Sequence, residues 1–295
     1  MRILFISQFY PPEIGAASNR IGYFAKFLAK AGHEVSVLTS APNYPEGKVY
    51  EGYQNRWTVQ EDNGVTVYRT RIFLSTEKKT FSRLAHYLSF IIASVIAKRK
   101  IPKPDAIIAT SPPLFVGLIG VIFKKLWRNV RFILDIRDIW PASVESVGAV
   151  RNKLILKQGE KLARYIYRRA DHITCTSPGI KKLLLTPHSS LQTHITILPN
   201  GAELDLFRPD ISGDHIRRTW NLENKFVVLY TGNLGLAQAP EIFVETAHLL
   251  RNEKEIVLLI VGAGVLKEKM EHEAREKNLT NIIFTGSRPR SEMPA

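Results

Sequence analysis

A single cysteine, Cys175, stands in 295 residues. That excludes an intrachain disulfide and any metal site built from several cysteines. His33, His86, His172 and His194 have no companion at ligand spacing, so no metal is expected. There is no Gly-x-Ser-x-Gly elbow and no Gly-Lys-Ser/Thr phosphate loop, which removes the common serine-hydrolase and nucleotide-hydrolase patterns. Long apolar runs are missing too. Ile3 to Ser7 is too short for a secretory signal core. Of the two most apolar helical stretches, Leu84 to Ala97 and Leu114 to Phe123, the longer spans only ~21 Å, against a hydrocarbon core of ~30 Å. A buried or interfacial helix is expected for each.

Acidic residues are also scarce: 27 Asp or Glu face 41 Lys or Arg, for a formal net charge of +14. The excess sits in one region. Residues 78–182 hold 21 basic and 6 acidic residues, and the rest of the chain is close to neutral. Within it, Lys153, Lys157, Lys161, Arg164 and Arg168 fall inside roughly 80° of arc on a helix. Leu154, Ile155, Leu162 and Ile166 are expected to supply its apolar contacts. Such a stripe is either a solvated face or a surface for anionic lipid or phosphate. The apolar helices of the same region favour the membrane. Nucleic acid is not expected, because zinc-finger spacing, RNA-binding aromatics and basic-zipper heptads are all missing.

At 45% hydrophobic and 23% charged residues, the composition is that of a globular protein, and the length suits two domains. Strands and helices alternate. Ile3–Ser7, a helix carrying Ile21, Phe24 and Leu28 and ending at Gly32, and Glu34–Thr39 make a strand–helix–strand unit with parallel strands. Strands at 65–71, 105–110, 130–136, 171–176 and 194–198, with helices at 80–100, 113–128, 152–170 and 179–185, complete a doubly wound α/β domain over residues 1–205. Residues 206–295 read as a second α/β unit with only three strands, at 226–231, 256–261 and 281–285. That is fewer than a usual sheet, so the unit is expected to be incomplete.

Three places carry chemistry. Two glycine-containing strand–helix loops, Pro11 to Ser18 with Gly15, and Thr231 to Gln238 with Gly232 and Asn233, have the arrangement in which backbone N–H groups can hold phosphate, and equally that of a plain strand–helix turn, which needs glycine in any case. Val261-Gly262-Ala263-Gly264 lacks the third glycine of a dinucleotide fingerprint. The third place, Asp135-Ile136-Arg137-Asp138-Ile139-Trp140-Pro141, closes a strand at the end where open α/β sheets bind ligands. One of Asp135 and Arg137 is expected to form a structural ion pair. Cys175 reads as a small core residue.

In order and spacing these segments, with Gly32-His33-Glu34-Val35 and Leu198-Pro199-Asn200-Gly201, resemble a family 4 glycosyltransferase of the GT-B architecture. The branch is the one that builds bacterial O-antigen, capsule and colanic-acid-type polysaccharides. The resemblance implies two Rossmann-like domains with a cleft between them. It implies retaining, metal-independent transfer from a nucleotide-diphosphate sugar to a glycan acceptor, often polyprenyl-diphosphate-linked, at the cytoplasmic face of the inner membrane. Gly15, Gly232, Asn233, Gln238 and Gly262 would bind the donor, and Arg137 and Asp138 would be catalytic. The basic stripe from Lys153 to Arg168 would face acceptor and membrane.

Three departures accompany it. Many relatives have His at Arg137, and Arg cannot act as a base near neutral pH. Asn233 and Gln238 stand where many have Arg and Lys. The family's Glu-x7-Glu donor motif is expected beyond Ala295, which suggests a C-terminally truncated form that binds nucleotide sugar poorly. The alternative is a non-catalytic membrane or polyprenyl-phosphate-binding module, or half of a split enzyme completed by a C-terminal polypeptide.

Overall fold

A computed structural model describes residues 1–44, 47–74, 80–140, 152–186 and 195–295. They divide into two compact units, Met1–Gly201 and Ala202–Ala295.

The first unit is built on an eight-stranded sheet in the order β3-β4-β2-β1-β5-β6-β7-β8. Its strands are β1 (Arg2–Ile6), β2 (Glu34–Ser40), β3 (Thr58–Asp62), β4 (Val65–Thr70), β5 (Ala106–Ser111), β6 (Arg131–Ile136), β7 (His172–Cys175) and β8 (Ile195–Ile197). All run parallel except β3, which pairs antiparallel with β4. The polar Thr-Val-Gln-Glu-Asp of β3 gives no strand signal by hydrophobicity, and this strand is missing from the sequence reading. Asn63 and Gly64, both at positive φ, make its two-residue turn.

Helices cover both faces. On one, α1 (Ala16–Lys30) lays Ile21 and Ala25 over Ile3, Phe5, Val37 and Val67. It ends in a paired cap: Gly32 N–H donates to Ala29 and His33 N–H to Leu28. On the other face, α2 (Thr80–Ala97), α3 (Leu114–Leu126) and α4 (Lys153–Arg169) lie side by side, with α3 in the middle. Phe90, Ile119, Phe123 and Ile166 meet Leu4, Ile107 and Phe132 of the strands there. A short α5 (Pro178–Leu185) packs beside β7 and β8.

The two apolar stretches thus separate. Most of α3 is core, whereas α2 buries one side only. Among the described residues no helix is long and apolar enough to cross a membrane.

The second unit holds a parallel three-stranded sheet, β11-β10-β9: β9 (Phe226–Thr231), β10 (Ile256–Val261) and β11 (Ile282–Gly286). The helices α6 (Asp214–Thr219), α7 (Ile242–Leu249) and α8 (Lys267–Glu276) accompany it. The central strand, Ile-Val-Leu-Leu-Ile-Val, is buried along nearly its whole length between two apolar clusters.

Candidate active site

In the first unit the carboxyl ends of β1, β5 and β6 converge, and an ion pair organises them. Arg20, in the second turn of α1, donates from Nε and Nη2 to the two carboxylate oxygens of Asp135 at 3.0 and 2.9 Å. Both side chains are buried, at 2% and 3% exposure. Thr110 and Thr174 donate their hydroxyls to the same carboxylate. The remaining Arg20 donors reach the carbonyls of Leu198 and Pro199 and the amide oxygen of Asn200. One guanidinium therefore ties α1 and β6 to the Leu-Pro-Asn-Gly loop that follows β8. Asp135 is the structural member of the Asp135/Arg137 pair, but its partner is Arg20, which sequence reasoning missed.

That frame leaves Arg137 at the strand end. It donates from Nε to Thr110 Oγ1 at 3.0 Å and from Nη2 to the Pro112 carbonyl at 2.8 Å. Burial pulls its pKa below the ordinary guanidinium value, against the opposing pull of Asp135 and Asp138. It stays a cation all the same. Asp138 is exposed. Trp140 packs its indole against Gly159 of α4, where no side chain would fit. Pro141, the last residue of this motif, lies outside the described residues.

The loop after β1 is fixed by a second buried carboxylate. Glu13 accepts N–H bonds from Tyr10, Asn43 and Tyr44. Burial, only partly offset by these bonds, pushes its pKa up. Gly15 has φ 156° and ψ 161°, a conformation that excludes other residues, and no side chain caps α1 behind it. No acidic residue stands in the first turn, and the buried Ser18 hydroxyl has no hydrogen-bond partner. Free N–H groups and a positive helix end make this loop the more anion-friendly of the two.

In the second unit, the loops after β9 and β10 interlock. Gly232 N–H donates to Val261 and Leu234 N–H to Ala263. A Cβ on Gly262, at φ 150°, would collide with the Gly232 carbonyl, and one on Gly264 with the Leu234 backbone. Backbone approach alone therefore accounts for both glycines. Gly232, Asn233 and Gln238 are exposed. Asn233 and Gln238 come together over Gly235, where a Cβ would lie 2.7 Å from Asn233 Nδ2 and 2.9 Å from Gln238 Oε1. Helix α7 opens at Glu241 with Glu245 in its first turn, and Glu241 faces Lys269 at 3.6 Å. These carboxylates weaken that helix end as an anion site.

On α4, Lys153, Lys157, Lys161, Arg164 and Arg168 are all exposed, and among the described residues none is in an ion pair. Asn152 caps the helix, and Leu156, Gly159, Ala163 and Ile166 face the core. Leu154 and Ile155, expected to pack, are instead 73% and 49% exposed, on the first turn of the helix. Cys175 is buried. Among the described residues no three His, Cys, Asp or Glu gather as metal ligands.

Residues 15–201 match the model of the glycosyl transferase 4-like domain, and residues 213–295 match that of glycosyl transferases group 1. The WcaI glycosyl transferase of Escherichia coli K12, named for colanic acid biosynthesis, is 28% identical over all of this chain and 74% of its own length. A GDP-mannose-dependent alpha-mannosyltransferase of Mycolicibacterium smegmatis is 24% identical over 97% of this chain and 68% of its own. Among solved structures, Anabaena HepE in complex with UDP superposes with a TM-score of 0.63 at 14% identity, over 99% of this chain and 71% of that one. The glycosyltransferase WaaG, involved in lipopolysaccharide biosynthesis, gives 0.67 at 14%, over 99% and 72%.

Proposed function

The chain belongs to the glycosyl transferase 4-like family and has the GT-B type of fold, with two Rossmann-like units, and from that premise we propose a retaining transfer from a nucleotide-diphosphate sugar to a polyprenyl-diphosphate-linked glycan in cell-surface polysaccharide synthesis. Residues 1–205 take the acceptor and residues 206–295 contribute to the donor site. The observation that carries the reading is the strand end at Arg137 and Asp138. A desolvated cation, tied through Thr110 to the Arg20–Asp135 frame, stands there next to an exposed carboxylate. Such fixed charge serves transfer by stabilising a departing diphosphate and orienting the acceptor hydroxyl.

Each unit offers phosphate one strand–helix loop. In the first it is the uncapped start of α1 behind Gly15. In the second it is the turn bearing Gly232, Asn233 and Gln238, whose amides supply neutral donors. Gly262 holds that turn in place. The cations of α4 face an anionic membrane surface, each contributing about 1 kcal/mol near such a surface. This fits a peripheral protein at the cytoplasmic face of the inner membrane.

The test incubates the chain with UDP- and GDP-linked sugars and a polyprenyl-diphosphate-linked saccharide. Glycolipid formation with retention at the anomeric carbon, unaffected by chelator, supports the reading. Binding of the lipid acceptor without transfer from any donor would favour a lipid-binding module.

A further inference from the structure

Helix α2 carries an apolar stripe that no described residue of its own unit covers. Leu84, Leu88, Ile92 and Ile96 recur every fourth residue and are 42%, 44%, 61% and 67% exposed. On a helix that spacing drifts by only about 40° per step, so the four form one continuous ridge about 18 Å long. The opposite side of α2, with Phe90 and Ser94, is buried. Beside the ridge runs a groove of about 560 Å³ between α2 and the segment following β4, lined by Trp57, Ile72, Phe73, Ile92 and Ile96 with Lys100 at one end. Phe73 is itself half exposed.

The stretch of sequence that carries this apolar surface is strongly basic. Residues 71–103 contain eight Lys or Arg and a single acidic residue, Glu77. Arg71, Arg99, Lys100 and Lys103 are exposed. Lys98 and Lys100 lie over the rings of Trp127 and Trp57, which keeps two ammonium groups at the C-terminal end of the ridge. An apolar ridge with a cluster of cations at its C-terminal end matches a surface whose interior is hydrocarbon and whose rim is anionic. Helix α4, with its exposed cations and the exposed Leu154 and Ile155, lies in the same helical layer, one helix away across α3.

We infer that the Leu84–Ile96 ridge of α2 inserts among the acyl chains of an anionic bilayer, with a lipid chain lying in the adjoining groove and lipid phosphates at Arg99, Lys100 and Lys103. The inference deepens the reading of a membrane-borne acceptor and rests on it. It gives α2 the apolar contact and leaves α4 the long-range attraction.

The test is flotation of the full chain with phosphatidylcholine vesicles, with and without phosphatidylglycerol, over a salt series. The double variant Ile92→Ser/Ile96→Ser changes only exposed side chains and keeps the native melting temperature. It is expected to lose about tenfold or more in partitioning to the anionic vesicles. The variant Arg99→Ser/Lys103→Ser is expected to lose the preference for phosphatidylglycerol. A fluorophore on an Ile92→Cys variant, Cys175 being buried, is expected to be quenched by brominated lipid, and one on Lys30→Cys of α1 is not.

Unchanged flotation of the isoleucine variant overturns the inference. If Lys153→Glu/Lys157→Glu/Lys161→Glu alone then abolishes binding, the membrane reading of α4 survives without it. A native dimer that the isoleucine variant converts to monomer in lipid-free buffer also overturns it, because the ridge is then covered by a second copy. If the native chain floats with neither vesicle, both membrane readings fall, while transfer to a water-soluble saccharide would still identify the enzyme.

Discussion

Arg20 and Asp135, 115 residues apart, meet through two parallel hydrogen bonds of 2.9 and 3.0 Å in the interior of the first unit. Every oxygen and every donor of the pair is used, so the desolvation of both charges is offset by bonds on all sides. Removing one partner leaves the other buried and unpaired. Asp135→Asn is expected to destabilise this unit by about 3–5 kcal/mol. The double replacement Arg20→Met/Asp135→Leu is expected to cost clearly less than the sum of the single changes. Urea unfolding of the native protein, Asp135→Asn, Arg20→Met, Asp135→Leu and the double variant checks both statements. Additive costs would show that the pair is not coupled.

The glycines of the second unit separate packing from ligand contact. Gly262→Ala places a methyl group on the Gly232 carbonyl from a backbone conformation that alanine resists. A loss of about 2–4 kcal/mol is expected in thermal or urea unfolding. Gly235→Ala meets only the ends of the Asn233 and Gln238 side chains, which can swing away. Stability is expected to change little while KM for the donor rises. Equal stability losses for the two variants would remove the distinction.

The strand–helix alternation was legible because parallel strands buried on both faces, such as Ile256–Val261, are short apolar runs with punctuation at each end. Strand β3 was not, since an edge strand exposed on both sides needs no apolar residue; the Asn63-Gly64 turn was its one signal. The motif around Asp135 was visible, and so was the α4 stripe, because charge at helical spacing survives in one dimension. Arg20 was invisible for the opposite reason. A lone arginine on an amphipathic helix looks like any surface arginine, and its five hydrogen bonds go to Asp135 of β6 and to residues 198–200. The exposed ridge of α2 read only as an apolar helix, because sequence does not say which side the sheet covers.

Glu13 makes a pH prediction. Burial raises its pKa in the folded protein, with the three backbone N–H bonds and Arg69 opposing. A raised folded pKa means that the native state takes up the proton more readily than the unfolded chain. Its contribution to stability is therefore full below the ordinary glutamate value and is lost as pH rises through the raised one. Glu13→Gln cannot titrate. The stability of the native protein relative to this variant is expected to fall as pH rises from 4 toward neutrality, followed by urea midpoints across that range. A difference that grows with pH would reverse the sign and show that the N–H bonds outweigh burial.

Arg137 and Asp138 differ in how much of the fold depends on them. Arg137 spends two donors on Thr110 and Pro112, so its replacement disturbs both the strand end and any charge it presents. Arg137→Lys keeps the charge but cannot span both acceptors with one ammonium. It is expected to lower kcat by about 10²-fold with a stability loss near 1 kcal/mol. Asp138 is exposed, and among the described residues it has no hydrogen-bond or ion-pair partner whose loss would unfold anything. Asp138→Asn is expected to leave the melting temperature unchanged and to lower kcat by about 10²-fold or more, with donor KM little affected. A residue that merely caps the strand end would give the converse, a shifted melting temperature at constant kcat. Paired measurements of melting and turnover on the two variants therefore separate a residue that touches the reacting groups from one that holds the strand end.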